Sequence, residues 1–384
     1  INIDNGAKLT IVGGFVKNTE VNGAATIRNA GNLVLNGVEI EGAPIADGSY
    51  PDYAVYTSGS LVVEEGTKIS SDRGAIYMQD GANVIINGGN IEVTDALGTR
   101  LLTAHVIYAY GSASKLTIND GNFSMKYAAT GNLGASVICP AGATIKVYGG
   151  NFYYAGTQGN QSGIFQNYMG YGAPVDVYGG TYNDNTVTKN GNLAEGYVAV
   201  NNSDNTYSVV KGSVAANAAE FIAAVNNIED GDVIALTYNV DFTTDNRTHN
   251  SGNYYDGLYY IGDKDFTIDL GGKTIGNANG AVNDYLLNFK NDGTKANTIT
   301  IKNGTIDAGT AAFCAICTSS TSAQRVTINL ENVVIINNNS SGAAVKVRGG
   351  AQLNVKAGTK ITGIDRYTCL EVVGEETVVN IYDG

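Results

Sequence analysis

The chain has no tryptophan in its 384 residues, and Pro (4), Cys (4), Met (3) and His (2) are almost as scarce. With so little Pro, the 50 Gly fall into no strict Gly-X-Y period, which excludes a collagen-like triple helix. Charge is sparse as well, at 15% of residues. Set against a hydrophobic content of 43%, that excludes a disordered chain, which combines low hydrophobicity with high charge. No apolar run approaches the ~18 residues of a membrane span. The 36 acidic residues outnumber the 23 basic ones and leave a net charge of −13, which opposes binding to nucleic acid or to an anionic membrane surface. There is no charged, then apolar, leader before Ile1, and the last strand phrase, from Val378, breaks off at Gly384. We therefore expect an internal or processed piece of a longer polypeptide. What the chain has in excess is Gly, Asn (44) and Tyr (24).

These residues recur in one phrase: a short alternating strand, a Gly or Asn turn, then an aromatic or branched residue. It reads Leu9-Thr-Ile-Val-Gly-Gly-Phe15, Leu33-Val-Leu-Asn-Gly-Val-Glu-Ile40 and Leu61-Val-Val-Glu-Glu-Gly-Thr-Lys-Ile69. It continues at Val84–Ile91, Leu116–Phe123, Ile145–Phe152 and Val175–Tyr182, and resumes at Phe266, Ile299, Val326, Leu353 and Val379. Within each group successive starts lie 23 to 33 residues apart. Each interval holds a second strand, such as Ala54-Val-Tyr, Ala75-Ile-Tyr, Val106-Ile-Tyr, Val137-Ile-Cys or Val345-Lys-Val. Two or three strands and no helix per repeat is the pattern of an all-β parallel β-helix, whose coils stack ~4.8 Å apart. Strand alternation then predicts an inward stack of Leu9, Leu33, Leu61, Val84, Leu116, Ile145 and Val175. A second stack follows the turn: Phe15, Ile40, Ile69, Ile91, Phe123, Phe152 and Tyr182. No leucine-rich-repeat frame and no calcium-binding β-roll frame is present.

The repeat breaks once. Residues 197–211 read as a hairpin around Asn201-Asn-Ser-Asp-Asn205, placed to cover the last coil. Residues 217–228 then switch to helical period, with Asn217 as N-cap, Phe221, Ile222, Val225 and Ile228 on one face and Gly231 past the end. Two consecutive parallel β-helices are expected, 1–212 and 213–384, the second opened by this capping helix. Residues 243–263 read as a polar, Tyr-rich excursion.

The Leu-Thr-Ile-x-Gly-Gly-x-Phe phrase, the hairpin at Asp204-Asn-Thr-Tyr-Ser-Val-Val and the helix at Ala219-Glu-Phe-Ile-Ala-Ala-Val resemble pectate-lyase-like β-helices of large bacterial surface and adhesin-like proteins. The resemblance covers nearly the whole chain. It implies a right-handed solenoid, a hand the crossover rule also favours. It further implies an extracellular or cell-surface location and a glycan or self-associating fibre as partner. The same fold carries catalysis in pectate lyases and phage tailspikes, so a polysaccharide lyase or glycoside hydrolase is the alternative, and a structural spacer a third.

A lyase of this kind needs clustered carboxylates for calcium and a basic residue to take the proton. The basic cluster is Lys346 and Arg348, with Arg325 and Arg366 on neighbouring coils, and Glu371 falls directly over Lys346 as a cross-coil ion pair. Lys146 and Asp176 align in the same way. No Asp column for calcium is present, and no cofactor or metal is expected. A hydrolase needs two carboxylates about 5–9.5 Å apart. Asp265 with Asp269, and Asp241 with Asp245, are the pairs by spacing, and turn roles suit them better. His105 and His249 are isolated and read as surface or turn residues. Cys139, Cys314, Cys317 and Cys369 read as small core-filling residues, no pairing being set by their spacing. Tyr148 and Tyr178 align outward on consecutive coils, beside Lys146 and Asp176, with Tyr153, Tyr154, Tyr168 and Tyr171 at the same end. Outward Tyr offers a sugar an apolar ring and a hydroxyl, so this face is the candidate glycan site.

Overall fold

The computed structural model describes the chain apart from residues 22–23, 45–52, 95–103, 127–133, 157–161, 167–174, 190, 203, 244–247, 250–254, 278–279, 321–323, 365–367 and 383–384. The side chains of 248–249 and 255–256 are likewise outside it. Across the described residues the protein is a parallel β-solenoid of about 11 turns, 55% strand and 4% helix, so strand stacking carries the fold. It comprises two compact units, residues 1–209 and 210–384.

In the first unit each coil contributes strands to three faces. The first face runs from Asn2–Ile3 through Ile27–Asn29, Val55–Thr57, Gly74–Met78, Ala104–Tyr110 and Ala135–Ala141 to Ser162–Phe165. The second runs from Lys8–Val12 to Val175–Val177, and the third from Phe15–Lys17 to Thr181–Tyr182. The register bears out the inward stack on the second face, each member being the Cα partner of the next: Leu9, Leu33, Leu61, Val84, Leu116, Ile145, Val175. From Leu33 onward these residues are at most 1% exposed.

On the third face Ile40, Ile69, Ile91, Phe123, Phe152 and Tyr182 stack as expected. Phe15 does not join them. Val16 is the partner of Ile40, and Phe15 points outward, 56% exposed. Val16 lies seven residues after Leu9, the same step that separates Leu33 from Ile40, whereas Phe15 lies six; one residue fewer turns a side chain to the opposite face. A comparable slip occurs at Val326, which partners Asn297, while Ile299 partners Ile328. That slip is of two residues, so it keeps the inward face.

The turns between the second and third faces demand glycine. Gly150 and Gly180 have φ of 105° and 101°, and a Cβ on Gly179 would lie 2.2 Å from the Tyr148 carbonyl oxygen of the coil before. At this turn the backbones of successive coils lie too close for a side chain between them. Beside these turns amides bond from coil to coil: Asn122 Nδ2 donates to Asn90 Oδ1 at 2.9 Å, and Asn151 Nδ2 to Asn122 Oδ1 at 3.0 Å.

The hairpin forms from Tyr197–Asn201 and Tyr207–Ala215, its turn closed by Asn202 N–H donating to Thr206 O at 2.7 Å. Its second strand pairs antiparallel with Thr181–Tyr182 and so covers the last coil of the unit.

In the second unit the helix spans Ala218–Asn226. The Asn217 side chain accepts from Glu220 N–H at 3.0 Å, and Glu220 Oε2 accepts from Ala216 N–H at 2.8 Å, a reciprocal cap. Phe221 and Val225 are fully buried, while Ile222 and Ile228 pack partly buried on the same core. The helix ends two residues short of 228, and Asn227 caps it, its N–H and its side-chain amide both donating to the Ala223 carbonyl. Parallel strands follow, including a five-stranded face from Leu258–Ile261 through Tyr285–Lys290, Cys314–Ser319 and Ala343–Arg348 to Leu370–Val373. Part of the expected excursion is thus regular coil, since Leu258–Ile261 opens this face.

Candidate functional site

Position in the coil decides which tyrosines face solvent. Tyr148 and Tyr178 each follow the inward valine of a second-face strand, so both point outward. Their rings stack, centroids 4.9 Å apart and 15° from parallel, and Tyr148 is 48% exposed. The edge of Tyr197, from the hairpin, meets Tyr178 at 5.3 Å and 83°. Tyr178 is thus in contact with both Tyr148 and Tyr197 and is half-buried, and Tyr148 is the more exposed of the pair. Tyr153 is exposed on the third face.

Tyr154 is a correction. The strand Asn151–Tyr154 alternates out, in, out, in, which buries Tyr154 to 2% exposure and sends it into the core with Phe152. It walls no groove. Tyr168 and Tyr171 lie outside the described residues. Lys146 and Asp176 are Cα partners, yet the register brings them side by side without closing an ion pair, unlike Lys68 and Glu39 at 2.9 Å.

The acid–base candidates of the second unit are engaged in the fold. Lys346 Nζ lies 3.0 Å from Glu371 Oε1, on the coil expected, and 5.8 Å from the centre of the Phe313 ring. Arg348 lies over Tyr285 at 5.5 Å, and Arg325 donates to Gln352 and to the Glu376 carbonyl. Arg366 is outside the described residues. Asp269 is buried; its Oδ1 accepts from Gly271 N–H at 2.9 Å and its Oδ2 stands 3.5 Å from Lys302 Nζ. Asp265 accepts from Thr298 N–H at 2.6 Å. These are turn and ladder roles. Asp241 is exposed, and its partner by spacing, Asp245, is outside the described residues, as is the His249 side chain. Among the described residues no group of three or more His, Cys, Asp and Glu is placed to hold a metal ion, and no helix is long and apolar enough to cross a membrane.

His105 is a second correction. It is 2% exposed, and its Nδ1 is hydrogen-bonded to Ser136 Oγ at 2.8 Å. Its coil neighbours on either side are Gly74 and Ser136, small enough to leave room for an imidazole. Burial, and then the Arg73 charge, lower its pKa to about 3, while burial pushes the Cys139 thiol up to about 12 against a hydrogen bond from Ser136. A catalytic thiolate–imidazolium pair needs both shifts reversed, so this cluster is packing. Cys314 and Cys317 are buried too; Cys369 is exposed, contrary to a core role, and none of the four is disulfide-bonded.

No family model matches the chain, and no curated protein matches it.

An outward column on the first face went unread in the repeat phrases. Arg28, Tyr56, Tyr77 and Tyr108 are successive Cα partners. Tyr56 and Tyr77 stack at 4.9 Å and 3°, Tyr77 and Tyr108 at 5.2 Å and 16°, and the Arg28 guanidinium stands 5.1 Å from the Tyr56 centroid. The signal was available: the second strand of three consecutive coils ends in Tyr at the same place.

Proposed function

We propose that the chain is a non-catalytic segment of an extracellular, adhesin-like surface protein that contacts glycan through long solenoid faces. The observation that carries this reading is the division of labour among side chains. The charged groups that a lyase or hydrolase would need, Lys346, Glu371, Asp265 and Asp269, are engaged with neighbouring coils or turns, whereas the Tyr148–Tyr178 pair and Tyr153 face solvent. Cross-coil ion pairs of this kind are weak individually; their role is to keep register. The surface location and the pectate-lyase-like, bacterial kinship rest on the resemblance of the repeat phrase, the hairpin and the helix.

The test is a glycan array paired with an assay of acidic and neutral polysaccharides for unsaturated uronate and new reducing ends. Glycan binding without turnover, lost in Tyr148→Ser/Tyr178→Ser at an unchanged melting temperature, is the expected result. Turnover abolished by Lys346→Ala or Arg348→Ala would make the protein a lyase or hydrolase. No binding to any glycan would make it a spacer.

A further inference from the structure

We propose a second glycan site, on the first face of residues 1–209, that takes a short neutral saccharide lying along the solenoid axis. A groove of about 260 Å³ crosses three coils there, lined by Asn2, Asp4, Arg28, Ala30, Tyr56 and Ser58 above a floor of Ile3 and Asn29. Its shape follows from register. Asn2, Arg28 and Tyr56 form one outward column, and Asp4, Ala30 and Ser58, each the first residue past its strand, line the opposite side. The column is tall and the opposite side is short at its centre, where Ala30 has only a methyl group. Between them lies a trough whose steps repeat at the coil spacing.

The ring at the far end of the trough is held in place. Tyr56 Oη donates to Gln79 Oε1 at 3.0 Å, on the next coil. The floor is rigid: Asn29 is 2% exposed, its Nδ2 donates to Thr57 Oγ1 and Ser60 O, and its Oδ1 accepts from Gly31 N–H. Tyr56 is fixed between Arg28 and Tyr77. The groups that face the trough are thus one carboxylate, one amide, one hydroxyl, a guanidinium and the flank of an aromatic ring. Convergent polar groups of mixed type beside an apolar wall suit a polyhydroxylated ligand, whose hydroxyls both donate and accept. The volume falls just below the ~300–1,000 Å³ of drug-sized sites, which limits the ligand to a short saccharide. The absence of a one-signed charge favours a neutral one.

The site stands apart from the Tyr148–Tyr178 face, and the experiment separates the two. Saturation-transfer NMR and titration calorimetry use the full chain with cellobiose, maltotriose and N,N′-diacetylchitobiose as probes. At least one probe binds; Ala30→Phe, which fills the trough from an exposed position, abolishes that binding. Asp4→Asn, isosteric and exposed, weakens it about tenfold by removing a charge-assisted acceptor, and Tyr148→Ser/Tyr178→Ser leaves it unchanged. Failure of all three probes to bind overturns the site. So does binding that survives Ala30→Phe, or, should that variant misfold, binding unaltered by Asp4→Asn. Loss confined to the double tyrosine variant would assign the binding to the other face and reject this one.

Discussion

The rings of Phe123 and Phe152 lie one coil apart with centroids 4.8 Å apart and planes 7° from parallel, and Tyr182 continues the stack at the same spacing. Removing the middle ring leaves a cavity one ring thick between Phe123 and Tyr182 and takes away the stacking partner of both. Phe152→Ala is expected to destabilise the protein by about 3–5 kcal/mol. Phe15→Ala, on the corresponding turn but facing outward, should cost less than about 0.5 kcal/mol. Urea unfolding of the two variants checks the pair; equal costs would mean that Phe15 and not Val16 occupies the stack.

His105 ties stability to pH. Its folded pKa, about 3, lies below the ordinary value of 6.5. Above pH 6.5 both folded and unfolded forms are neutral at this site, and its contribution is fully present. As pH falls from about 6.5 toward 3 the unfolded chain takes up the proton first, so stability drops, by at most about 1.4 kcal/mol per pH unit. His105→Gln should flatten that part of the pH–stability curve. The matching NMR readout is a His105 ring resonance that does not titrate between pH 8 and 4.

The Lys346–Glu371 pair predicts a near-null result. With Glu371 38% exposed on its side chain, Lys346→Met should change stability by no more than about 1 kcal/mol. A much larger loss in thermal unfolding would show that the pair does more than hold register.

Asn217→Ala removes the side chain that accepts Glu220 N–H at the start of the helix. A loss of about 0.5–2 kcal/mol is expected, with Asn217→Ser close to wild type. Chemical unfolding followed by circular dichroism checks both.

Most of the fold was legible because a solenoid repeats its grammar. The Leu9-to-Val175 stack follows from period-2 alternation alone, and the helix from Asn217, Phe221 and Val225. What escaped notice depended on counting through turns or on neighbours one coil away. Phe15 is displaced by a single residue across Gly13-Gly14, a difference that hydrophobicity does not mark. His105 is buried because Gly74 and Ser136, about thirty residues off on either side, make space for it. Tyr154 lies next to an outward tyrosine, and only the strand's alternation tells them apart. The groove at Ala30 has no motif at all. It arises where a small residue stands between Asp4 and Ser58 on a side of the trough that is visible only once the coils are stacked.

The strand bonds between coils of residues 1–209 run along the solenoid axis, while the chain within each coil runs across it. A pull along the axis therefore loads the coil boundaries in series, and the weakest yields first. Each boundary that opens releases one coil of chain, at up to ~3.6 Å per residue. A pull across the axis instead loads the three faces side by side and must shear several strands at once. The unit is accordingly stiff across its width and extensible in steps along its length, with a step size set by the spacing of the glycine turns.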